Sequence, residues 1–286
     1  MNNDLKIRLS NILNESIVRV SEIHGGDISK AYKIDTPNKS YFLKLNSAIN
    51  AVKMFQTEAY GLQSINETNT IKTPKVLACE TFQNYAFLLL EFIENKPPSS
   101  EDFKNLGHQL AKLHKCTSEH FGLNQDNFIG SLYQKNKPHV TWVDFYAIER
   151  LLYQLELAKQ KQLLSKSACP SLQKIKNTLK PLFTDIKPTL LHGDLWSGNY
   201  LISKDGTPYL IDPAVYYGHH EVDIAMTKLF GGFGDSFYNA YYSKLKSDEN
   251  TSNRIEIYQL YYLLVHLNLF GSSYYGSVDS ILKKYF

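Results

Sequence analysis

The sequence predicts an α+β protein of two lobes, a small antiparallel sheet with one main helix followed by a larger, mostly helical part. Three observations carry this prediction. Short apolar runs with two-residue alternation crowd the first third of the chain. One helix-period stretch interrupts them, and long helix-period stretches fill the remainder. Between the two regimes lies Glu94-Asn95-Lys96-Pro97-Pro98, polar and proline-bearing, which reads as a linker and divides the chain into residues 1–92 and 93–286.

Taken in order, residues 1–15 read as a helix with Leu5, Ile7, Leu9, Ile12 and Leu13 on roughly one face. Ile17 to Ile23 alternates as a strand, His24-Gly25-Gly26-Asp27 breaks it, and Ala31 to Ile34 continues as a second strand. Tyr41 to Leu45 is a third. Ala51, Met54, Phe55, Glu58, Leu62 and Ile65 recur at helical spacing. Val76 to Thr81 and Tyr85 to Ile93 pair as a hairpin across Gln83-Asn84. After the linker, Ser99 or Ser100 caps a helix bearing Phe103, Leu106, Leu110 and Leu113. A further helix is expected from about Trp142 to Leu164. Thr189 to Leu191 and Tyr209 to Ile211 are short apolar runs of strand type, and helices follow from Val222, broken at Gly231 to Gly234.

Composition excludes several classes. Apolar residues make up 43% of 286 and charged residues 21%, ordinary for a globular chain. The net charge is +3 with no run of one sign, so neither nucleic acid nor a membrane surface is an expected partner. Tyr258 to Phe270 is the most apolar window, but Gln259, His266 and Asn268 interrupt it, so it reads as a buried helix. Met1 to Ser10 lacks the apolar stretch of a signal peptide. Cys79, Cys116 and Cys169 are odd in number and widely spaced, which fits a reducing compartment; the cytoplasm is the expected location.

The most specific feature is His192-Gly193-Asp194-Leu195-Trp196-Ser197-Gly198-Asn199, with Asp212-Pro213 further on. A carboxylate followed by an amide and then a second carboxylate suits phosphoryl transfer, which needs alignment of a hydroxyl and neutralisation of phosphate charge. Asp194 is the expected proton acceptor, and Asn199 and Asp212 are oxygen ligands of the kind Mg²⁺ takes. His192 is expected to brace the loop by hydrogen bonds and is counted, with Trp196 and Tyr217, among possible acceptor contacts. Trp196 serves equally as a core residue or as a face for the acceptor to stack on. Lys44, in an apolar strand, calls for an anion, with Glu58 on the following helix to orient it. Gly25 and Gly26 would let backbone amides approach phosphates, and Ser29 would add a hydroxyl. Glu91, Phe92 and Ile93 would bring backbone groups to an adenine edge, with Leu45, Leu89 and Ile211 sandwiching the ring. His219 and His220 read as a loop near the substrate mouth, and Asp223, starting a helix, as a brace for the catalytic loop.

The Asp, Asn and Asp spacing resembles the catalytic apparatus of protein kinases, with Gly193 where those have Arg, as in kinases of aminoglycosides and other small molecules. The longer strings narrow this. His192 to Asn199, Ile211-Asp-Pro-Ala-Val-Tyr-Tyr-Gly218, Glu221-Val-Asp-Ile-Ala-Met226 and Leu229-Phe-Gly-Gly-Phe233 resemble the fructosamine kinase (ketosamine kinase) family. So do Met54-Phe55 with Glu58-Ala59 and Gly61-Leu62, Phe121-Gly-Leu123, Asp126 to Ser131, Trp142 with Phe145, Arg150-Leu151, and His266 to Gly271. The resemblance runs from about residue 15 to 285. It implies a two-lobed kinase-like fold, an amino-terminal nucleotide-binding lobe, and ATP with Mg²⁺ as cofactors. It further implies phosphorylation of a sugar hydroxyl of ketosamines, small or borne on glycated lysine, as a deglycation repair. Asp27 departs from it, standing where many members have Cys. A phosphotransferase of the same fold acting on an aminoglycoside- or choline-type alcohol is the alternative.

Overall fold

The computed structural model describes residues 1–23 and 29–286. Helix α1 (Asn3–Leu13) starts where the Asn2 side chain accepts the Leu5 N–H, and it ends at Asn14, whose φ of 52° turns the chain. Strands β1 (Arg19–Ile23), β2 (Lys30–Asp35), β3 (Ser40–Asn46), β4 (Val76–Phe82) and β5 (Tyr85–Glu91) form one antiparallel sheet in the order β1-β2-β3-β5-β4. Gln83, with φ of 51°, turns the hairpin between β4 and β5.

The two-residue period of β3 gives that sheet two different faces. Tyr41, Leu43 and Leu45 point to one side, where they pack with Ile34, Phe87 and Leu89 under Leu5 and Leu9 of α1. Phe42 and Lys44 point to the other. There α2 (Ala51–Glu67) lays Phe55, Ala59 and Leu62 against Leu88 and Leu90. The end of α2 crosses over: Ile65 and Ile71 belong to the core of the helical lobe.

That lobe begins with α3 (Ser100–Leu113), where Ser99 and Asp102 form a reciprocal capping box. Lys96 closes on Asp102 at 2.6 Å. A hairpin of β6 (Asn127–Ile129) and β7 (Leu132–Gln134) follows, turned by Gly130 at φ 58°. The single helix expected from Trp142 to Leu164 is three pieces: α4 (Trp142–Phe145), a π-helical stretch Tyr146–Leu152, and α5 (Tyr153–Gln160). It stops short because Gln162 adopts φ 58°. Then come α6 (Leu172–Leu179), β8 (Thr189–Leu191), β9 (Tyr200–Ile202), β10 (Pro208–Leu210) and β11 (Tyr216–Gly218). Strand β8 pairs with β11 and β9 with β10, which brackets residues 192–199 and 211–215 between strand ends. Helices α7 (Glu221–Leu229), α8 (Asp235–Tyr242), α9 (Thr251–Phe270) and α10 (Tyr275–Tyr285) complete the chain. Gly231 and Gly232, at φ 72° and 90°, separate α7 from α8.

Helix α9 is apolar nearly all round and lies in the middle of the lobe. No helix among the described residues is long and apolar enough to cross a membrane.

The capping box makes a direct test of how α3 is anchored. Replacing Ser99 by Ala removes the acceptor for the Asp102 N–H and one donor to the Asp102 carboxylate. The expected cost is about 1 kcal/mol, read as a lower urea midpoint at unchanged slope.

Candidate functional site

Lys44 is the one cation on the α2-facing side of β3, and it stands between two carboxylates from different parts of the chain. Its Nζ donates to Glu58 of α2 at 2.7 Å and to Asp212 Oδ1 at 2.5 Å. Burial works against the ammonium, but the Asp212 and Glu58 carboxylates more than offset it and hold Lys44 charged. Burial pushes Glu58 up to about 7, and Lys44 opposes the shift. Asp212 adopts φ 55° just past β10. Helix α2 reaches this segment at Gly61, where a Cβ would lie 2.9 Å from the Pro213 ring.

The loop after β8 is held by its backbone. The Asp223 carboxylate, in the first turn of α7, accepts the His192 N–H and the Gly193 N–H, both at 2.8 Å. The Tyr262 hydroxyl donates to the Gly193 carbonyl at 2.9 Å. His192 N ε2–H donates to the Ile211 carbonyl at 2.8 Å, and the Ala214 N–H returns to the His192 carbonyl at 2.9 Å. These bonds tie the 192–199 loop to the 211–215 segment. Gly193 sits at φ 84°, and a Cβ there would lie 2.2 Å from the Ala214 carbonyl oxygen.

Asp194 and Asn199 meet inside that frame. Asn199 Nδ2 donates to the Asp194 carbonyl at 2.8 Å and to its carboxylate at 3.3 Å. Burial pushes Asp194 up to about 7, helped by the carboxylates of Asp212 and Asp223, while the bond from Asn199 pulls it down. With its amide N–H groups on Asp194, Asn199 keeps an Oδ1 that has no partner among the described residues. That oxygen and the half-exposed Asp212 carboxylate are hard donors, a set that suits Mg²⁺.

A second layer fixes the 211–215 segment from behind, and the sequence reading did not find it. Asn127 Nδ2 donates to the Val215 carbonyl at 2.9 Å, and Gln134 Nε2 to the Ala214 carbonyl at 3.3 Å. Tyr261 donates to Gln134, while Asn136 donates to Asn127 and accepts from Arg150. Arg150 is fully buried and lies 3.9 Å over the Tyr216 ring. The π-helical stretch carries it, a position that a regular helical period does not mark.

The other expected site residues fall as follows. Gly25 and Gly26, with Asp27, lie outside the described residues. Ser29 is held by Asn46 at 3.1 Å. Glu91 ends β5, its N–H on the Lys75 carbonyl and its carboxylate on the Lys75 N–H. Phe92 and Ile93 line a groove of about 270 Å³ with Ser203, Lys204 and Tyr209. The expectation that Leu45 and Leu89 sandwich a ring is overturned, because both face α1 on the far side of the sheet. Phe42, Leu88 and Leu90 share the side of Lys44 instead. Trp196 is 38% exposed and lies over Gly198. Tyr217 is half-buried beside the 122 segment, and burial followed by Tyr60 of α2 raises its hydroxyl. His192, expected both as a brace and as an acceptor contact, is fully buried, with Nε2–H donating to the Ile211 carbonyl and Nδ1 accepting from Asp194 N–H at 3.3 Å, so it offers no face to an acceptor. His219 and His220 are not at a loop mouth either. Both are turned inward, onto the hydroxyls of Tyr258 and Tyr241 at 2.7 and 2.9 Å. Asp223 stands where the brace was expected.

The whole chain, residues 1–286, matches the sequence profile of the family described as fructosamine kinase. A protein of Lactiplantibacillus plantarum named "Probable ketoamine kinase" is 40% identical over 271 residues, covering 94% of this chain and 95% of that protein. The "Protein-ribulosamine 3-kinase, chloroplastic" of Arabidopsis thaliana is 40% identical over 274 residues, covering 94% of this chain and 83% of that protein. The crystal structure of a "Putative fructosamine-3-kinase" from Haemophilus somnus 129PT superposes with a TM-score of 0.89 at 28% identity, over 99% of this chain and 96% of that one. The two-lobed kinase-like architecture is therefore shared, and the match includes α1, ahead of the stretch on which the resemblance was first seen.

The loop's tolerance is measurable without any ligand. Gly193→Ala forces a β-carbon into the Ala214 carbonyl at a φ that side chains avoid. The expected loss is roughly 1–3 kcal/mol, seen as a lower thermal midpoint, whereas Gly276→Ala, where a Cβ meets nothing within 4 Å, should leave the midpoint nearly unchanged.

Proposed function

The chain belongs to the fructosamine kinase family, and we propose that the cleft around Asp194 transfers the terminal phosphoryl group of ATP to a sugar hydroxyl of a ketosamine. It is a ketosamine kinase, an ATP-dependent phosphotransferase with an alcohol acceptor. The observation that carries the residue assignments is the convergence of Asp194, Asn199, Glu58, Lys44 and Asp212 from two lobes on one cleft.

In this reading Asp194 orients the acceptor hydroxyl and takes its proton as the new O–P bond forms and the bond to the leaving nucleoside diphosphate breaks. A buried carboxylate whose affinity for protons is already raised makes a better acceptor than an exposed one. Lys44 binds nucleotide phosphate, and Glu58 keeps its ammonium aimed at the cleft. Asn199 Oδ1 and Asp212 hold Mg²⁺, which when bound neutralises phosphate charge. Gly25, Gly26 and Ser29 border the phosphates, and the backbone of Glu91, Phe92 and Ile93 meets the adenine. The exposed face of Trp196 takes the apolar face of the sugar, with Tyr217 further out.

The lobe boundary we propose runs between residues 92 and 93, with the nucleotide on the amino-terminal side. Both small ketosamines and glycated lysine on proteins are proposed acceptors. Phosphorylation on the sugar's third carbon gives an unstable ester that releases the free amine, so the activity serves deglycation. The three free cysteines suit the cytoplasm.

Asp194→Asn should lower kcat roughly 100-fold or more while ATP affinity by calorimetry stays within about threefold. Unchanged turnover removes Asp194 as the base. The pH profile follows from the raised Asp194. Its carboxylate must be ionised to accept the proton, so kcat/KM for ATP, which reports the nucleotide-free protein, falls as pH drops through about 7. An acid limb near pH 4 would contradict this assignment.

A further inference from the structure

Behind Asp223 lies a buried chain of polar side chains that the reading of the cleft does not use. Its origin is a close packing of helices. A Cβ on Gly107 of α3 would lie 2.4 Å from the Phe237 carbonyl of α8, so glycine permits the two helices to touch. That contact brings His114, at the end of α3, against Tyr241 of α8. His114, Tyr241 and Asp223 are each at most 1% exposed.

His114 Nε2 lies 3.0 Å from Asp223 Oδ2, the oxygen that also accepts the His192 N–H. His114 Nδ1 is 2.8 Å from the Tyr241 hydroxyl, which is 2.9 Å from His220 Nδ1. A carboxylate only accepts, so the hydrogen sits on Nε2. The Tyr241 hydroxyl then bridges the other ring nitrogen of His114 to His220. Burial, followed by the nearby His114, pushes His220 down to about 3, so it stays neutral and can hold that role.

We propose that His114 is a positioning residue for Asp194, acting through Asp223, with Tyr241 seating its ring. Asp223 receives three donors: the His192 and Gly193 N–H groups and the His114 ring. Burial pushes the Asp223 carboxyl up, and the bond from His114 leads the interactions that bring it below its ordinary value. Without that bond the buried carboxylate keeps only its two backbone donors, and Oδ2 loses the ring that fixes its place. The His192 N–H shares Oδ2 with His114, so that anchor loosens first. Asp194 lies two residues along the same loop, and a displacement of about 1 Å is worth roughly 100-fold in rate.

The proposal rests on the assignment of Asp194, and its test compares His114→Met, which removes the donor, with His114→Gln, which keeps one. The expected result with ATP and a fructosyl-lysine acceptor is a kcat about 100-fold lower in His114→Met. KM for ATP should stay within about threefold, because Lys44 and Glu58 are untouched. His114→Gln should recover at least a tenfold part of the loss. A structural defect alone would lower both variants together. Tyr241→Phe removes only the seating hydroxyl and should lower kcat severalfold. If His114→Met does not fold, Tyr241→Phe decides, and a kcat equal to that of the unaltered chain overturns the proposal. Equal kcat in the two His114 variants also overturns it. An unaltered chain that phosphorylates no ketosamine would instead strike at the reading of the cleft.

Discussion

A buried ammonium between two carboxylates ties the lobes of this molecule together. Lys44 comes from the sheet, Glu58 from α2 and Asp212 from the segment after β10. Leaving such a cation unpaired in this setting would cost several kcal/mol, so the three side chains specify one another's positions. The apolar contacts agree with that arrangement. Gly61 lets α2 approach Pro213, and Ile65 enters the core of the helical lobe. Helix α2 is thus seated on both lobes, and Glu58 is carried on a support that does not depend on a ligand to form.

Around Asp194 the support is mostly backbone. His192 and Gly193 give their N–H groups to one carboxylate, Gly193 receives a tyrosine hydroxyl, and Ala214 closes back on His192. Loops are usually the mobile part of a fold. Here His192, Gly193, Asp194 and Asn199 all have bonded backbone groups, and Asp223, which accepts two of those bonds, is itself buried and bonded. The cost is the buried charge of Asp223 and Arg150, each offset by several polar or aromatic partners.

Periodicity made the architecture legible. The alternation in β3 placed Lys44, and the helical spacing from Ala51 placed Glu58 on the face that meets it. The same alternation, followed one step further, assigns Leu45 to the opposite side, and reading it with Leu89 as part of a ring pocket overlooked that parity. Strands β6, β9 and β11, three residues each, are below the length at which a period can be recognised, whereas β8 and β10 showed through their apolar runs. Gln134, Asn136 and Arg150 were hidden for a different reason. Each is an ordinary polar residue outside any long regular element, and only the folded chain puts Gln134 on the Ala214 carbonyl and links Arg150 through Asn136 to Asn127, which holds the Val215 carbonyl.

The charges of the cleft have a consequence for what it can bind. Glu58 and Asp212 hold one ammonium between them, and the Asp194 carboxyl lies close enough to Asp212 to feel its charge. Two of these, Asp194 and Glu58, are pushed up to about 7 because burial and their acidic neighbours disfavour further negative charge. A bare triphosphate would enter against that field. A triphosphate that arrives with a divalent cation would bring the compensation the pocket lacks, and Asn199 Oδ1 and the half-exposed Asp212 carboxylate are oxygens of the kind such a cation accepts. Lys44 can then exchange its bond to Asp212 for phosphate while keeping Glu58, so the ammonium remains paired throughout. In the proposed reading the same neutralisation would lower the electrostatic cost of ionising Asp194, so filling the proposed nucleotide side of the cleft would prepare the proposed proton acceptor on the other.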